Sequence, residues 1–427
     1  MIGTAIPRGL LPESAGVVGG HLTIAGRRVV DLVAEFGSPL FIYDEQQLID
    51  RCREAVEAFG EGVAYASKAF LCTAMARVAF EAGMHIDVAT GGELYVALAA
   101  GVPAERIVMH GNNKSDAEIT MALESGVGRI VIDSFDEMDR IDRIVAGGLS
   151  APRVLVRINP GITAHTHEYL QTGVPDSKFG FPLADDIARK AIDRASVSDS
   201  MTYLGIHAHI GSQVFDVASY RKAMSAIAPF LNDSGASEVS MGGGLGVAYV
   251  EGEQAPTMTE WALAIREAAD AEGVTARISA EPGRAIVARA AVTAYTVGTI
   301  KEIPGTRTYV SVDGGMSDNP RPVLYGSGYE AFLASDVEAK RDRAVTIVGK
   351  HCESGDFIVR DAALPSNTVV GDIVCTPVTG AYGHSMGSNY NKVLRPAVVF
   401  VRGSKARTVV ERETFDDLLA RDVGGVS

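Results

Sequence analysis

Cysteine and positive charge are both scarce in this sequence. The 427 residues include only four cysteines, none of them in a Cys-x-x-Cys spacing, and so few cannot form a disulfide framework. Lysine and arginine number 39 against 53 aspartates and glutamates, which gives a formal net charge of −14 without any basic tract. Because no positive patch is present, we expect neither a nucleic-acid partner nor binding to an anionic membrane surface.

Long apolar runs are missing as well. No segment reaches the roughly 18 consecutive apolar residues that a membrane span requires. The opening residues, MIGTAIPRGLLPESAG, lack the charged-then-apolar pattern of a secretion signal. The sequence therefore predicts a soluble protein of the cytoplasm.

The composition that remains is that of a folded enzyme. Hydrophobic residues make up 47% of the chain and charged residues 22%, which excludes disorder as its general state. At about 150 residues per domain, the length predicts two or three domains. Together with 46 glycines, these values favour an α/β enzyme.

The middle of the chain alternates between two sequence patterns. Between about residue 62 and residue 284, short β-rich runs are separated by helix-like stretches such as residues 71–83 and 259–273. Eight strands are predicted, at residues 62–67, 85–89, 106–111, 128–133, 153–159, 203–210, 237–242 and 276–281. Strand followed by helix, repeated eight times, is typical of a parallel (β/α)8 barrel similar to that of triosephosphate isomerase, the TIM barrel.

The last third of the chain reads differently. It is rich in β-forming residues, with little amphipathic helix and with turn signals at DGG, ESGD and TGAYG. We expect a mostly antiparallel β domain over residues 285–427, after a barrel over residues 44–284. The N-terminal segment, residues 1–43, either caps the barrel or packs with the β domain, and we favour the second arrangement.

Polar or glycine-rich clusters follow nearly every predicted barrel strand, where the chemistry of such barrels is found. Lys68 follows an apolar strand, and a partly desolvated lysine there would suit Schiff-base chemistry. The glycines at 242–246 and the HIGS segment at 209–212 would suit a phosphate. Glu281, with Arg284 in EPGR, could keep a pyridine nitrogen protonated. Taken singly, these residues could be a solvated surface lysine, a tight turn and an ordinary ion pair.

Two further motifs lie in the predicted β domain. Cys352 stands beside a carboxylate in CESGD, residues 352–356, although a lone cysteine is usually a buried structural residue. GAYG, residues 380–383, could be no more than a turn with an aromatic plug. The ordered set of motifs, from Lys68 to GAYG, is harder to explain by such ordinary readings than any one motif alone.

That ordered set resembles the fold-type III pyridoxal phosphate-dependent decarboxylases of the alanine racemase and ornithine decarboxylase superfamily, and within it the branch that acts on diaminopimelate. The resemblance is carried by AYASKA, DVATGGEL, RINPGITAHTHEYLQTG with SKFGF, HAHIGSQ, GGGLG, EPGR, CESGD and GAYG, which together extend over residues 41 to about 395. The NPG…HTH…SKFG block and CESGD are specific to the diaminopimelate branch.

The resemblance implies pyridoxal phosphate as cofactor and no metal. Lys68 would hold the cofactor covalently, Glu281 would meet its pyridine nitrogen, and His209 would stack on its ring. The implied cofactor site comprises Lys68, Asp87, Arg157, His209, Ser212, Gly243, Gly244, Glu281, Pro282, Gly283, Arg284 and Tyr382. Within it, Asp87 would lie near Lys68, and Arg157 near the phenolic oxygen of the ring. Ser212 and the backbone of Gly243 and Gly244 would meet the phosphate.

The resemblance also implies a substrate and a reaction. Cys352 would donate a proton, and Glu353 would bind the distal ammonium of an amino-acid substrate. The distal carboxylate would be clamped by Arg284, Arg321 and Tyr325, and Tyr382 would be shared between cofactor and substrate. Arginine suits a carboxylate because its planar fork pairs with two oxygens at once. The implied reaction is decarboxylation of meso-2,6-diaminopimelate to L-lysine and carbon dioxide, the last step of lysine biosynthesis. The resemblance further implies a homodimer whose composite sites join the barrel of one subunit to the cysteine-bearing loop of the other.

Three alternatives stay open at this point. A sibling enzyme of the same fold could decarboxylate ornithine, arginine or carboxynorspermidine, although Glu353 with Arg284 and Arg321 favours an amino-acid-like distal end. A metal-dependent hydrolase could use the pairs His165-x-His167 or His207-x-His209, although neither has an obvious carboxylate-rich partner set. A non-catalytic binding protein of the same fold should have lost Lys68 or Cys352, and both are present.

Overall fold

A computed structural model describes residues 7–162 and 177–424, which divide into two compact units. One unit comprises residues 49–247 and 254–286, and the other residues 1–48, 248–253 and 287–427. We refer to them as the barrel unit and the β unit. Within the described residues, no helix combines the length and the apolar character that a membrane crossing needs.

The N-terminal residues contribute strands to the β unit. A small antiparallel sheet is formed by β1, Gly16–Val18, β2, His21–Ile24, and β3, Arg27–Arg28. Helix α1, Val29–Phe36, and strand β4, Leu40–Asp44, follow. Every residue of β4 is buried, as expected for a strand inside a large sheet.

The barrel unit is a parallel sheet closed on itself. Its strands are β5, Ala64–Ala66; β6, His85–Val88; β7, Ile107–Met109; β8, Arg129–Ile132; β9, Arg153–Asn159; β10, Phe181–Pro182; β11, Thr202–Ala208; β12, Glu238–Ser240; and β13, Arg277–Ser279. They pair in the order β13-β12-β11-β9-β8-β7-β6-β5, with the short β10 added beside β9. Ala64 N–H donates to Ala280 O and Ala66 N–H donates to Pro282 O, at 2.9 and 3.2 Å, and these bonds join the two ends of the sheet.

Helices separate most of the strands in this part of the chain. They are α2, Glu45–Phe59; α3, Thr73–Glu81; α4, Gly91–Ala99; α5, Asp116–Ser125; α6, Phe135–Ala146; α7, Ile187–Ser196; α8, Ala218–Ser234; α9, Met258–Ala271; and α10, Arg284–Val287. Ser115 and Thr257 cap α5 and α9 in full capping boxes with Glu118 and Glu260. These caps provide acceptors for N-terminal backbone N–H groups that have no partner within the helix.

The remaining chain completes the β unit. Its elements are β14, Ala291–Ile303; β15, Arg307–Val312; α11, Arg321–Tyr325; β16, Phe332–Leu333; β17, Arg343–Val348; β18, Phe357–Leu364; β19, Ile373–Pro377; β20, Ala397–Arg402; β21, Lys405–Val410; and α12, Phe415–Leu419. The main path runs β18-β17-β15-β14-β4-β20-β21, and β19 pairs with β14 and β16. Most pairs are antiparallel, whereas β15–β17 and β4–β20 are parallel.

The predicted fold class is confirmed by this architecture: an eight-stranded (β/α)8 barrel accompanies a mostly antiparallel β unit. All eight predicted barrel strands are present within a few residues of the expected positions. The N-terminal segment lies in the β unit, because β4 inserts between β14 and β20 in its sheet.

Candidate active site

The C-terminal ends of the barrel strands bring together the polar residues of the predicted cofactor site. Lys68 lies in a 3-10 turn directly after β5, and Asp87 is the third residue of β6. Arg157 lies in β9, His209 follows β11, and Glu281 follows β13. Because all these strands are parallel, the side chains reach the same rim of the barrel, where active sites of this fold occur.

Glu281 has three polar partners at this rim. Ser240 donates its hydroxyl to Oε1 at 2.8 Å, and Nε2 of His207 lies 3.0 Å from Oε2. His110 approaches Oε1 with its Nε2 at 3.3 Å. Burial tends to raise the pKa of Glu281, but the attraction of His110 and His207 and their hydrogen bonds hold it well below its usual range. The carboxylate is therefore ionised although it is buried.

The imidazoles around Glu281 differ in charge. Burial lowers the pKa of His207 to about 4, so this ring is neutral at pH 7 and donates from Nε2 to Glu281. Burial also opposes protonation of His110, but the charges of Asp87 and Glu281 outweigh it and raise the pKa of His110. Asp87 lies 3.7 Å from His110 through Oδ1, and burial raises its pKa to about 6.

Arg157 is fixed on both sides of its guanidinium. Nη1 donates to Oδ2 of Asp133 at 3.4 Å, and the Phe179 ring lies 4.5 Å from the guanidinium carbon. Asp133 also accepts the backbone N–H of Gly180 at 2.6 Å, which ties the residues after β8 to those before β10. Arg157 is almost fully buried, and this burial lowers its pKa. The arrangement presents a positive planar group in a defined orientation.

The glycines that follow β12 allow neighbouring loops to approach closely. A Cβ on Gly243 would lie 2.3 Å from the carbonyl oxygen of Glu281, and a Cβ on Gly244 would lie 2.1 Å from that of Gly211. Gly243 N–H donates to Nδ1 of His209 at 3.2 Å, so Nδ1 of that imidazole is an acceptor. Burial, together with the charges of Lys68 and Arg157, lowers the pKa of His209 well below its usual value and keeps the ring neutral.

The EPGR segment contributes both to closure and to the rim. The carbonyl of Pro282 accepts the N–H of Ala66, and Gly283 packs where a Cβ would lie 2.8 Å from the Ala66 carbonyl oxygen. Arg284 is buried and donates from Nη2 to the hydroxyl of Ser212 at 2.9 Å. These contacts bring the guanidinium of Arg284 beside the predicted phosphate-binding hydroxyl.

One expectation about Lys68 was wrong in this structure. The side chain is exposed rather than partly desolvated, because the 3-10 turn after β5 carries it outward while Ser67 and Ala69 are buried. Its charge nevertheless acts on Asp87, which it favours in the ionised form, and on His209, which it disfavours in the protonated form. The ammonium group therefore lies within electrostatic reach of the residues predicted to surround it.

In the β unit, Arg321 is a buried cation surrounded by aromatic rings. Its guanidinium carbon lies 3.9 Å from the ring centroid of Tyr249 and 5.5 Å from that of Tyr329, whose hydroxyl accepts from Nη1 at 2.6 Å. Among the described residues, its buried Nε has no hydrogen-bond partner, and the groups that act on its charge are tyrosines rather than carboxylates. A buried arginine without a counter-ion is costly unless an anionic ligand completes it. Tyr325, at the end of α11, and Tyr382 are half-buried residues of the same unit.

Cys352 and Glu353 lie on a turn between β17 and β18. Both are exposed, and Cys352 is the one exposed cysteine of the chain. The turn is anchored by Asp356, which is buried and accepts from Nδ1 of His351 at 2.8 Å. The predicted proton donor, Cys352, and the predicted ammonium-binding group, Glu353, therefore lie on a turn that buried hydrogen bonds hold in place.

Several residues around these groups were not predicted from the sequence. His110, His207 and Ser240 surround Glu281, and Tyr249 and Tyr329 enclose Arg321. The strand-end position of His110 and the two-residue spacing of His207 and His209 were the only signals for the first group. No local pattern links Arg321 to its aromatic neighbours.

The structure also corrects one point about the metal-hydrolase alternative. His207 does have a carboxylate partner, Glu281, and with His110 the three residues offer ligand atoms within 4.8 Å of one another. His209, by contrast, turns its Nδ1 to the backbone of Gly243. The pair at His165 and His167 lies outside the described residues.

Comparisons with known proteins find relatives that match almost the whole chain. Residues 45–288 match the model for the pyridoxal-dependent decarboxylase family, pyridoxal binding domain. Diaminopimelate decarboxylase of Mycobacterium tuberculosis is 44% identical over 438 residues, covering 98% of this chain and 97% of the relative. The Bacillus subtilis enzyme of the same name is 44% identical over 420 residues and 95% of each chain. A crystal structure of diaminopimelate decarboxylase from M. jannaschii in co-complex with L-lysine superimposes with a TM-score of 0.89 at 32% identity, covering 97% and 98% of the two chains.

Proposed function

This chain belongs to the diaminopimelate decarboxylase family of the pyridoxal-dependent decarboxylases, and we propose that the residues at the rim of its barrel and on its β unit carry out that reaction. The enzyme is a carboxy-lyase that converts meso-2,6-diaminopimelate to L-lysine and carbon dioxide, in lysine biosynthesis. The chain is 44% identical to an enzyme of this branch over nearly its full length, which favours this reaction over those of the sibling decarboxylases.

The observation that carries the proposal is the ionised, buried Glu281. Its oxygens accept from Ser240 and His207, so its carboxylate is rigid and presents negative charge to a basic ring nitrogen. Pyridoxal phosphate, held there, supplies an electron-withdrawing pyridinium that stabilises negative charge on a neighbouring carbon. The donor set fits such a ring, because neutral His207 adds a hydrogen bond to the carboxylate without adding a positive charge.

The other rim residues fit the remaining parts of the cofactor. Lys68 would bind it covalently, since its amine is exposed at the rim. Neutral His209 would lie flat against the ring, and Arg157, oriented by Asp133, would meet an oxygen substituent. Ser212, with Arg284 beside it, would meet the phosphate. Gly243 and Gly244 would contribute backbone to the same anion.

Substrate recognition rests on the β unit. Arg321 is held by Tyr329 in an orientation that lacks only an anion, and we assign it to the distal carboxylate of the substrate. Glu353 would bind the distal ammonium, and Tyr325 and Tyr382 would complete this region. Arg284 of the barrel unit would also act on the carboxylate. A substrate without a distal carboxylate would leave Arg321 buried without a counter-ion, and is therefore disfavoured.

Cys352 would supply the proton that replaces the departing carboxylate. Its exposed thiol donates the proton to the substrate carbon and is left as a thiolate, which regains a proton from solvent. A homodimer with composite sites, in which Cys352 serves the Lys68 of the partner subunit, is part of the same proposal. A cytoplasmic location is part of it too, since four cysteines are too few for the disulfide framework of a secreted protein.

Borohydride reduction and product analysis test this function together. We expect reduction to fix a pyridoxyl group on the peptide that contains Lys68, and the untreated enzyme to release L-lysine and carbon dioxide in equal amounts from meso-diaminopimelate. Lys68→Ala should lose both properties and remain folded, whereas Lys190→Ala, at an exposed lysine of α7, should keep both. A pyridoxyl label on another lysine, or turnover that survives in Lys68→Ala, would contradict the assignment.

A further inference from the structure

The turn that carries Cys352 is held on one side by a buried carboxylate. Asp356 accepts the backbone N–H of Met316 at 2.6 Å through Oδ1. Through Oδ2 it accepts the backbone N–H and the Nδ1 of His351, at 2.9 and 2.8 Å. Three hydrogen bonds to one buried carboxyl group hold this side of the turn in place.

The other side of the turn is held by residues 390–392, which form a short 3-10 turn 39 residues further along the chain. The Cys352 backbone N–H donates to Oδ1 of Asn391 at 2.8 Å. The neighbouring Tyr390 stacks on His351, with ring centroids 5.7 Å apart and an interplanar angle of 5°. The backbone at Cys352 is thus held on one side by His351, which bonds to Asp356, and on the other by the side-chain amide of Asn391.

The backbone of Asn391 is arranged to make this contact possible. Its φ and ψ are 52° and 23°, the left-handed region, which asparagine adopts more readily than most residues. A side chain with a different shape or without an oxygen could not both accept this conformation and reach the N–H of Cys352. Asparagine is therefore suited to position 391 by its backbone preference and by its acceptor.

We propose that Asn391 is a positioning residue for the proton donor, which fixes the backbone of Cys352 so that its thiol is aimed at the substrate carbon. The inference rests on the proposed role of Cys352 and extends it to a residue with no reacting atom of its own. Because the Cys352 side chain is exposed and so is not held by packing, its aim depends on this backbone contact.

The consequence is kinetic rather than structural. A misplaced donor slows proton transfer steeply with distance, whereas substrate binding through Arg321 does not involve this turn. We therefore expect the loss of the Asn391 acceptor to lower kcat by a larger factor than it raises KM, to which Glu353 on the same turn also contributes. Proton transfer should then limit turnover, so that the solvent deuterium isotope effect on kcat increases.

Two substitutions separate the acceptor from the backbone conformation. Asn391→Gly keeps the left-handed backbone at little cost and removes the acceptor, and we expect it to lower kcat about tenfold. Asn391→Asp keeps an oxygen at the same place and should recover at least a third of wild-type kcat. Asn389→Ala serves as the matched control, because Asn389 lies in the same segment but bonds to Val393 O and Glu413. Its kcat should stay within about threefold of wild type.

A double-mutant cycle with Cys352→Ala decides whether Asn391 acts through the thiol. If it does, Asn391→Gly should change the residual turnover of Cys352→Ala by less than twofold, because there is no thiol left to aim. An equal tenfold loss in both backgrounds would overturn the proposal and indicate a general structural role. If Cys352→Ala alone keeps full turnover, the proposed donor itself is wrong and the inference falls with it, an outcome that the single variant identifies.

Discussion

Asp318 offers a quantitative test of how burial and charge are balanced in the β unit. Its carboxyl is buried, with Oδ2 accepting from the hydroxyl of Tyr295 at 2.6 Å and Oδ1 accepting from Gly315 N–H at 2.7 Å. Burial raises its pKa to about 7, and the two hydrogen bonds only partly oppose this, while Asp356 and Asp313 add repulsion. The folded state therefore resists ionisation of this group.

The sign of the pH dependence follows from the raised pKa. Between the unfolded pKa near 3.8 and the folded pKa near 7, the folded chain binds more protons than the unfolded chain. The stabilisation from the protonated group is complete below pH about 4 and is lost as the pH rises through 7. A difference of about 3 pKa units, at about 1.4 kcal/mol each, sets an upper limit of about 4 kcal/mol.

Asp318→Asn removes this dependence while preserving the contacts. The amide oxygen can accept from Gly315, and the amide nitrogen can donate to the Tyr295 oxygen. We expect the variant to be equal to or slightly less stable than wild type at pH 5, and about 2 to 3 kcal/mol more stable at pH 8, because two pH units below the folded pKa are worth about 1.4 kcal/mol each. Differential scanning calorimetry at four pH values between 5 and 8 measures the difference. A difference that stays constant with pH, or that shrinks as the pH rises, would refute the argument.

Three further outcomes are expected. Mixing Lys68→Ala and Cys352→Ala subunits under conditions of subunit exchange should restore about a quarter of wild-type turnover, because about half the dimers then hold one intact composite site. Native mass spectrometry verifies that the subunits exchange. If they exchange and no activity returns, a site shared between subunits is excluded. Tyr329→Phe removes the hydroxyl that accepts from Arg321, so the KM for meso-diaminopimelate should rise about tenfold with kcat within about threefold, as steady-state kinetics would show; a fall in kcat at unchanged KM would contradict this. Glu238 pairs with two arginines, and the three residues lie at the start of three barrel strands, so Glu238→Gln leaves both arginines without a carboxylate. We expect the free energy of unfolding to fall by about 2 kcal/mol, measured by urea unfolding with the fluorescence of the single tryptophan. An unchanged midpoint would argue against this role of Glu238.

The barrel could be predicted from the sequence because its signals are local. Each strand is a short apolar run, some helices begin at a recognisable cap such as Ser115 or Thr257, and parallel strands place their ends at one rim. That reasoning predicts Lys68, the glycines at 242–246 and Glu281 at the same rim, whereas Asp87 and Arg157 are expected there from the family resemblance. The exposed position of Lys68 did not follow, because it depends on the turn that the chain makes after β5.

The parts that could not be predicted depend on distant pairings. β4 lies between strands more than 240 residues away along the chain, so the place of the N-terminal segment could not be read from its own residues. In the same way, Glu281 meets His110 and His207 only because β7 and β11 reach the same rim as β13. Register between distant strands is set by packing, which a local pattern does not contain.

The electrostatics of the rim gives these unpredicted neighbours a physical role. Glu281 and Asp87 are two carboxylates on one buried surface, and like charges so close would raise the pKa of both if nothing intervened. His110 lies between them, within 3.3 and 3.7 Å, and its raised pKa lets it carry a positive charge there. His207, on the other oxygen of Glu281, is neutral and adds a hydrogen bond without adding charge. His110 thus offsets part of the negative charge of both carboxylates, and Lys68 offsets a further part of that of Asp87.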